Sequence, residues 1–293
     1  MLLLALDTST RQASLALCSE DELLGEYTWL VGNNHSIELL KRMQRLLAEC
    51  GKTMPDIDGV AVAIGPGSFN GLRVAVSTAK ALAFALKKPL VGISTLDSIA
   101  AQQRQWDGPI CSILEAGRSE LYAACYLFDK IYHGSSREVT YRMRQLSDYL
   151  LFSPQQVASY LQKQASNWFG VPGKRTLPTF LLCGEISAAS RQALCAEMQE
   201  GCVLIDNVQA TRHASVLAML ALQRLHDGKE DDPLSLEPLY LRRPSITTST
   251  RKQPLLGGKA HRPADVGASL TGTQEHGGAQ FIAPWREEDA IRH

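Results

Sequence analysis

Gly65-Pro66-Gly67-Ser68-Phe69-Asn70-Gly71-Leu72-Arg73 is the stretch whose reading decides the fold. The apolar run before it, Gly-Val-Ala-Val-Ala-Ile over 59–64, predicts a buried strand that ends at glycine. The Ala-rich run after it, over 72–86, predicts a helix. The stretch is therefore a strand-to-helix turn. Its glycines allow a left-handed backbone or a close approach that a Cβ would hinder. Ser68 or Asn70 can cap the first free N–H groups of the helix. Those groups and the helix dipole suit an anion such as a phosphate. A P-loop is excluded because Gly71 is followed by Leu72 rather than lysine, and a dinucleotide fingerprint fails at Asn70. Residue types alone leave two readings open, a turn that only packs and a turn that holds phosphate.

The 293 residues, 45% hydrophobic and 20% charged, suit a globular chain of about two domains. Lys plus Arg and Asp plus Glu number 30 each, so the net charge is zero. That balance argues against holding nucleic acid by bulk electrostatics, and leaves room for a subunit whose partner holds the RNA. The seven cysteines include no C-x-x-C, and most lie in apolar runs, which predicts reduced core thiols and a cytoplasmic protein. No apolar run approaches ~18 residues, so neither a signal peptide nor a membrane span is expected.

Working outward, strands are expected over 2–6, 13–18 and 23–29, and a helix over 34–50. After the central turn comes a strand over 89–93 and a helix over 96–103. A second unit then repeats the opening. A strand over 110–114 meets Glu115-Ala116-Gly117-Arg118-Ser119 and returns over 120–128, as 2–6 meets Asp7 to Gln12 and returns. Two matched hairpins some hundred residues apart indicate an internal duplication. Helices beginning at 153, 187 and 213 and strands over 179–183 and 203–205 complete the pattern. The expected organisation is one subdomain over 1–104, completed by a helix over 212–228, and a second over 105–211. A C-terminal segment over 229–244 follows, and the Gly- and Pro-broken 245–293 reads as a disordered tail.

With Asp7-Thr8-Ser9, the glycine turn, Gly92-Ile93-Ser94-Thr95-Leu96 and Glu237-Pro238-Leu239-Tyr240-Leu241-Arg242 in order, the chain resembles the TsaB family. These are glycoprotease-like M22 relatives that assist threonylcarbamoyladenosine formation on tRNA. The resemblance implies an α/β, actin-like ATPase (ASKHA) fold of two duplicated subdomains. It implies a cytoplasmic, non-catalytic subunit that binds TsaD, the paralogue transferring the threonylcarbamoyl group, together with TsaE. It also implies pairing through the two helices of the first subdomain, with TsaD or in a homodimer, and contact with tRNA through the complex. No cofactor of its own is implied, beyond ATP or ADP at the complex interface. The alternative is an actin-like small-molecule kinase or an M22-type metallopeptidase.

No catalytic set is expected. Asp7, Ser9, Gly65, Gly67 and Ser68 are the candidate nucleotide or anion contacts. Leu39, Leu40, Met43 and Leu47 on one helix, and Ala75, Ala79 and Ala83 on the next, are the candidate partner surface. His35 stands where the paralogue carries the first ligand of an H-x-x-x-H pair, but Leu39 one turn on cannot ligate, so no metal is expected. Glu115 and Arg118 match Asp7 and Arg11 in the second hairpin.

Overall fold

The structure, a computed structural model, describes residues 1–31, 35–133, 138–169 and 178–242. The expected tail over 245–293 lies outside them.

Near-continuous apolar runs buried on both faces make β1 (Leu3–Asp7) and β2 (Gln12–Cys18), and the more exposed β3 (Leu23–Leu30) completes an antiparallel run. Helix α1 (His35–Glu49) leads to β4 (Gly59–Gly65), and α2 (Phe69–Leu86) leads to β5 (Leu90–Ser94). The sheet order is β3-β2-β1-β4-β5, with β4 and β5 parallel to β1. After α3 (Thr95–Gln102) the design recurs. Strands β6 (Ile110–Gly117), β7 (Glu120–His133) and β8 (Glu138–Gln145) run antiparallel. A short β9 (Leu150–Phe152) pairs with the start of β7. Helix α4 (Pro154–Phe169), β10 (Phe180–Cys183), α5 (Ala188–Met198), β11 (Cys202–Leu204) and α6 (Ala214–His226) follow. The second sheet reads β8-β7-β6-β10-β11, with β10 parallel to β6 and β11 parallel to β10. Both sheets thus have one topology, and the duplication extends beyond the two hairpins to every central strand.

The strands alternate inward and outward, so three cores form. Leu4, Leu6, Leu15, Leu17, Val60 and Val62 pack under α1 and α2. The opposite face of the first sheet, through Ala5, Ala16, Ala61 and Val91, meets α3 and α6. Ile110, Tyr126 and Leu181 of the second sheet close the same core from the other side. Its outer face packs Cys111, Ile113 and Leu182 against α4 and α5. The helix expected over 213–226 lies on β1 and β2.

Strand β8, Glu-Val-Thr-Tyr-Arg-Met-Arg-Gln, is not among the expected strands, although Val139, Tyr141 and Met143 alternate with polar residues as a half-buried strand does. It is held by backbone pairing along eight residues of β7, by ion pairs such as Arg144–Asp129, and by Tyr141 and Met143 packed against the core between the sheets. The segment after α6 also has a defined course. Asp231 Oδ2 accepts from Gly92 N at 2.7 Å, Lys80 Nζ donates to the carbonyls of Leu234 and Leu236, and Leu239 N donates to Ile64 O. Arg242 then reaches the second sheet, donating to Ala116 O at 3.1 Å and pairing with Glu120. Among the described residues no helix is long and apolar enough to cross a membrane.

Asp97, in the first turn of α3, accepts hydrogen bonds from the hydroxyls of Tyr126 (2.7 Å) and Tyr149 (3.0 Å). Burial raises its carboxyl pKa above the usual value, and these hydrogen bonds only partly offset it. A raised carboxyl favours folding fully below its unfolded pKa of about 3.9, and that contribution fades as pH climbs through the folded value. Asp97→Asn keeps the acceptor and removes the ionisation. Thermal melts from pH 4 to 8 should show its stability relative to the parent rising with pH; a relative stability that falls as pH rises would contradict the assignment.

Candidate functional site

The glycine turn lies against the end of β1, backbone to backbone. Ser68 N donates to Ser9 O at 2.6 Å, and Thr8 Oγ1 donates to Gly71 O at 2.7 Å. A Cβ on Gly67 would stand 2.2 Å from Ser9 O, and one on Gly71 would stand 2.0 Å from Thr8 O. Only glycine fits at either place. The Ser68 hydroxyl caps α2 by accepting from Gly71 N at 3.4 Å. This geometry supplies a packing reason for the motif.

The two sheets face each other across a cleft of about 940 Å³. One wall carries Ser9 to Gln12 and Gly67 to Phe69, the other Leu114 to Arg118 and Glu185 to Ser187. At its mouth Phe69 stacks on Tyr240, with ring centroids 5.3 Å apart, and Arg73 lies 5.2 Å over Phe69. Beneath the lining residues Thr10, Gln12 and Glu185, the floor is a closed polar cluster. Arg212, 1% exposed, donates from Nε to Asp7 Oδ2 at 2.8 Å and from Nη2 to Gln12 O at 2.6 Å, and its Nη1 pairs with Glu185. Asp7 Oδ1 accepts from Ser9 N (2.8 Å) and Ser9 Oγ (2.6 Å), while Glu185 Oε2 accepts from Thr10 Oγ1 (2.8 Å). Burial works against the charge on Arg212, but Asp7 and Glu185 outweigh it and hold its pKa above the usual arginine value.

These contacts correct the expected nucleotide contacts. Asp7 and Ser9 are buried and engaged with Arg212 and with each other, and Gly65 is buried beneath Leu239 O. Ser9, although it donates to Asp7, lines the cleft with Gly67 and Ser68. Each carboxylate oxygen of Asp7 and Glu185 already has a protein partner, so the pair does not fit a metal–phosphate group. Glu115, the counterpart of Asp7, does not join it. It is exposed and accepts from Ser187 N at 2.8 Å. Arg212 gave no sequence signal, being a lone arginine before a helix; Glu185, following Gly184 at a strand end, gave a faint one.

The sequence model of the family described as TsaD, tRNA N6-adenosine threonylcarbamoyltransferase, matches residues 29–249. The Escherichia coli relative called tRNA threonylcarbamoyladenosine biosynthesis protein TsaB is 27% identical over 83% of this chain and 95% of that one. Its Haemophilus influenzae namesake is 30% identical over 55% of this chain and 67% of that one. The chain belongs to the TsaB family. The Bacillus subtilis TsaB is 37% identical over 44% of this chain, a match that spans 56% of the relative's length. A solved Pseudomonas aeruginosa structure, described as similar to peptidase YeaZ, has a TM-score of 0.63 at 27% identity and covers 82% of this chain and 99% of its own.

For this TsaB-family chain the expected partner surface also needs correction. Leu39, Met43, Leu47, Ala75, Ala79 and Ala83 are buried in the chain's own core beneath the first sheet. Only Leu40 of that set is outward, 46% exposed. Besides Phe69 at the cleft mouth, the outward apolar side chains on α2 are Ala81, Ala85 and Phe84, the last 75% exposed. The side chain of His35 lies outside the described residues, and Leu39 is buried.

Gly71→Ala should lower Tm by several degrees, since overpacking costs about 1–3 kcal/mol and each kcal/mol moves Tm by about 2–4 °C at this size. Gly51, with open space around it, provides the control as Gly51→Ala, whose strain is local to one turn. A melt in which Gly71→Ala loses no more than Gly51→Ala would remove the close-approach explanation.

Proposed function

We propose that this chain is a non-catalytic subunit of the tRNA threonylcarbamoyladenosine apparatus. In that reading it binds TsaD, with TsaE, and is required for threonylcarbamoyl transfer to the adenosine next to the anticodon. The observation that carries the non-catalytic part is the cleft floor: the carboxylates at the heads of β1 and β10 are tied to Arg212 instead of facing a substrate. The TsaB relatives supply the pathway. The outer faces of α1 and α2, with Leu40, Ala81, Phe84 and Ala85, are the surface for TsaD or for a second copy in a homodimer. tRNA is met through the complex, and ATP or ADP belongs to the complex interface. The working compartment is the cytoplasm.

Supplying the chain to a bacterium that lacks its own TsaB, with TsaD intact, should restore threonylcarbamoyladenosine in total tRNA, measured by mass spectrometry of nucleosides. Unmodified tRNA in the presence of soluble chain would overturn the reading. In pull-downs, Phe84→Glu should lose TsaD by at least about tenfold, as expected when a charge enters an apolar contact, while Tm stays near the parent's. Ala79→Glu, fully buried, should unfold the chain itself. Undiminished TsaD capture by Phe84→Glu would place the partner elsewhere.

A further inference from the structure

Arg212 is, with Asp7, the most enclosed charge among the described residues, and it draws its partners from both sheets. Asp7 ends β1 in the first sheet, 205 positions away in the chain. Glu185 follows β10 in the second sheet, and Gln12 opens β2. Two carboxylates and a carbonyl converging on a closed space demand a cation, because unpaired buried carboxylates are strongly disfavoured. A metal ion or a guanidinium can meet that demand.

We propose that the Arg212 guanidinium is a built-in substitute for a hydrated divalent cation, closing the cleft floor to metal ions and fixing the gap between its two walls. The proposal rests on the non-catalytic reading and deepens it.

Geometry supports the substitution. With N···O distances of 2.8 and 2.6 Å, Asp7 Oδ2 and Gln12 O stand near the guanidinium centre. With a C–N bond of about 1.3 Å and each N–H leaving its nitrogen at about 120° to that bond, these oxygens lie roughly 3.6 Å from the central carbon. A divalent ion that keeps its waters, with metal–water bonds of about 2.1 Å, holds outer acceptors at roughly 4.2 Å, about half an ångström farther out. The guanidinium therefore fills most of the space of a hydrated ion and presents fixed donors to the same oxygens. It differs in one respect that matters. An ion can leave, or travel with a phosphate, whereas Arg212 is covalently part of the loop before α6 and stays charged at any working pH. The walls are held together with or without a ligand, and the partner-facing helices on the first sheet stay in one orientation to the second.

The test uses the full chain, stripped with chelator, and Mn2+ alone as the probe. Melting temperature with and without Mn2+, and bound Mn2+ by electron paramagnetic resonance, are compared for the parent, Arg212→Ala and Arg212→Ala with Asp7→Asn. The parent should hold no Mn2+ in the cleft and melt identically in both conditions. Arg212→Ala should melt lower, bind Mn2+ and regain several degrees with it. The double variant should lose that binding and that gain. If Arg212→Ala is recovered only as aggregates, refolding yield takes the place of Tm: a yield that rises with Mn2+ supports the proposal, and one indifferent to Mn2+ overturns it. An Arg212→Ala protein that folds and ignores Mn2+, or a parent that is itself stabilised by Mn2+, also overturns it. TsaD capture by the parent chain is scored separately, so loss of the metal result leaves the partner reading standing, and the reverse.

Discussion

A guanidinium that is 1% exposed keeps its charge and must be neutralised where it lies, and that requirement ties the two halves of this molecule together. Arg212 meets it with Asp7 from one sheet and Glu185 from the other, and the Gln12 carbonyl accepts from a third N–H. Breaking one member of such a buried set leaves an uncompensated charge, at a cost of roughly 3–5 kcal/mol. Burying it intact adds little net stability. What the set provides is a fixed geometry. Thr10 and Gln12 on the first hairpin reach Glu185 and Thr211, so the hydrogen bonds around Arg212 also cross between the halves.

The frame on which this set is mounted is a duplicated one, and the two copies have diverged in their polar equipment. Both halves carry a hairpin whose first strand ends in an acid, but Asp7 is buried and paired while Glu115 is exposed on a backbone N–H. Both have a glycine at the end of the strand parallel to the first one, and in each case the following turn starts a serine-capped helix. In the first half, the turn presses so closely on Thr8 and Ser9 that it holds the head of β1 in place for Asp7. The motif most specific in the sequence thus acts on the site through backbone packing.

Helices α1 and α2 illustrate why an apolar stripe does not identify a partner surface. An Ala-rich helix such as α2 carries small residues on several sides, so its periodicity is satisfied by more than one orientation. Packing against Val60 and Val62 selects the Ala75-Ala79-Ala83 side, because small side chains let the helix approach the sheet closely. Ala81, Phe84 and Ala85 are left outward by that choice.

The sequence by itself determined the strand-to-helix turn, a helix cap at Ser68 or Asn70, the central strands of both sheets and their duplication. These features rest on neighbours within a few positions: apolar runs bounded by glycine, and a hydroxyl three residues before an N–H. It also carried the family, through strings that survive as strings. The tertiary structure decided where β8 belongs: Val139, Tyr141 and Met143 alternate as in a strand, but the segment gets its place from β7 beside it and from the core against which Tyr141 and Met143 pack. It alone decided which helix stripe is core. And it alone brought Arg212 to Asp7 and Glu185, since a single arginine before a helix has no local pattern and finds its partners only when two sheets close around it.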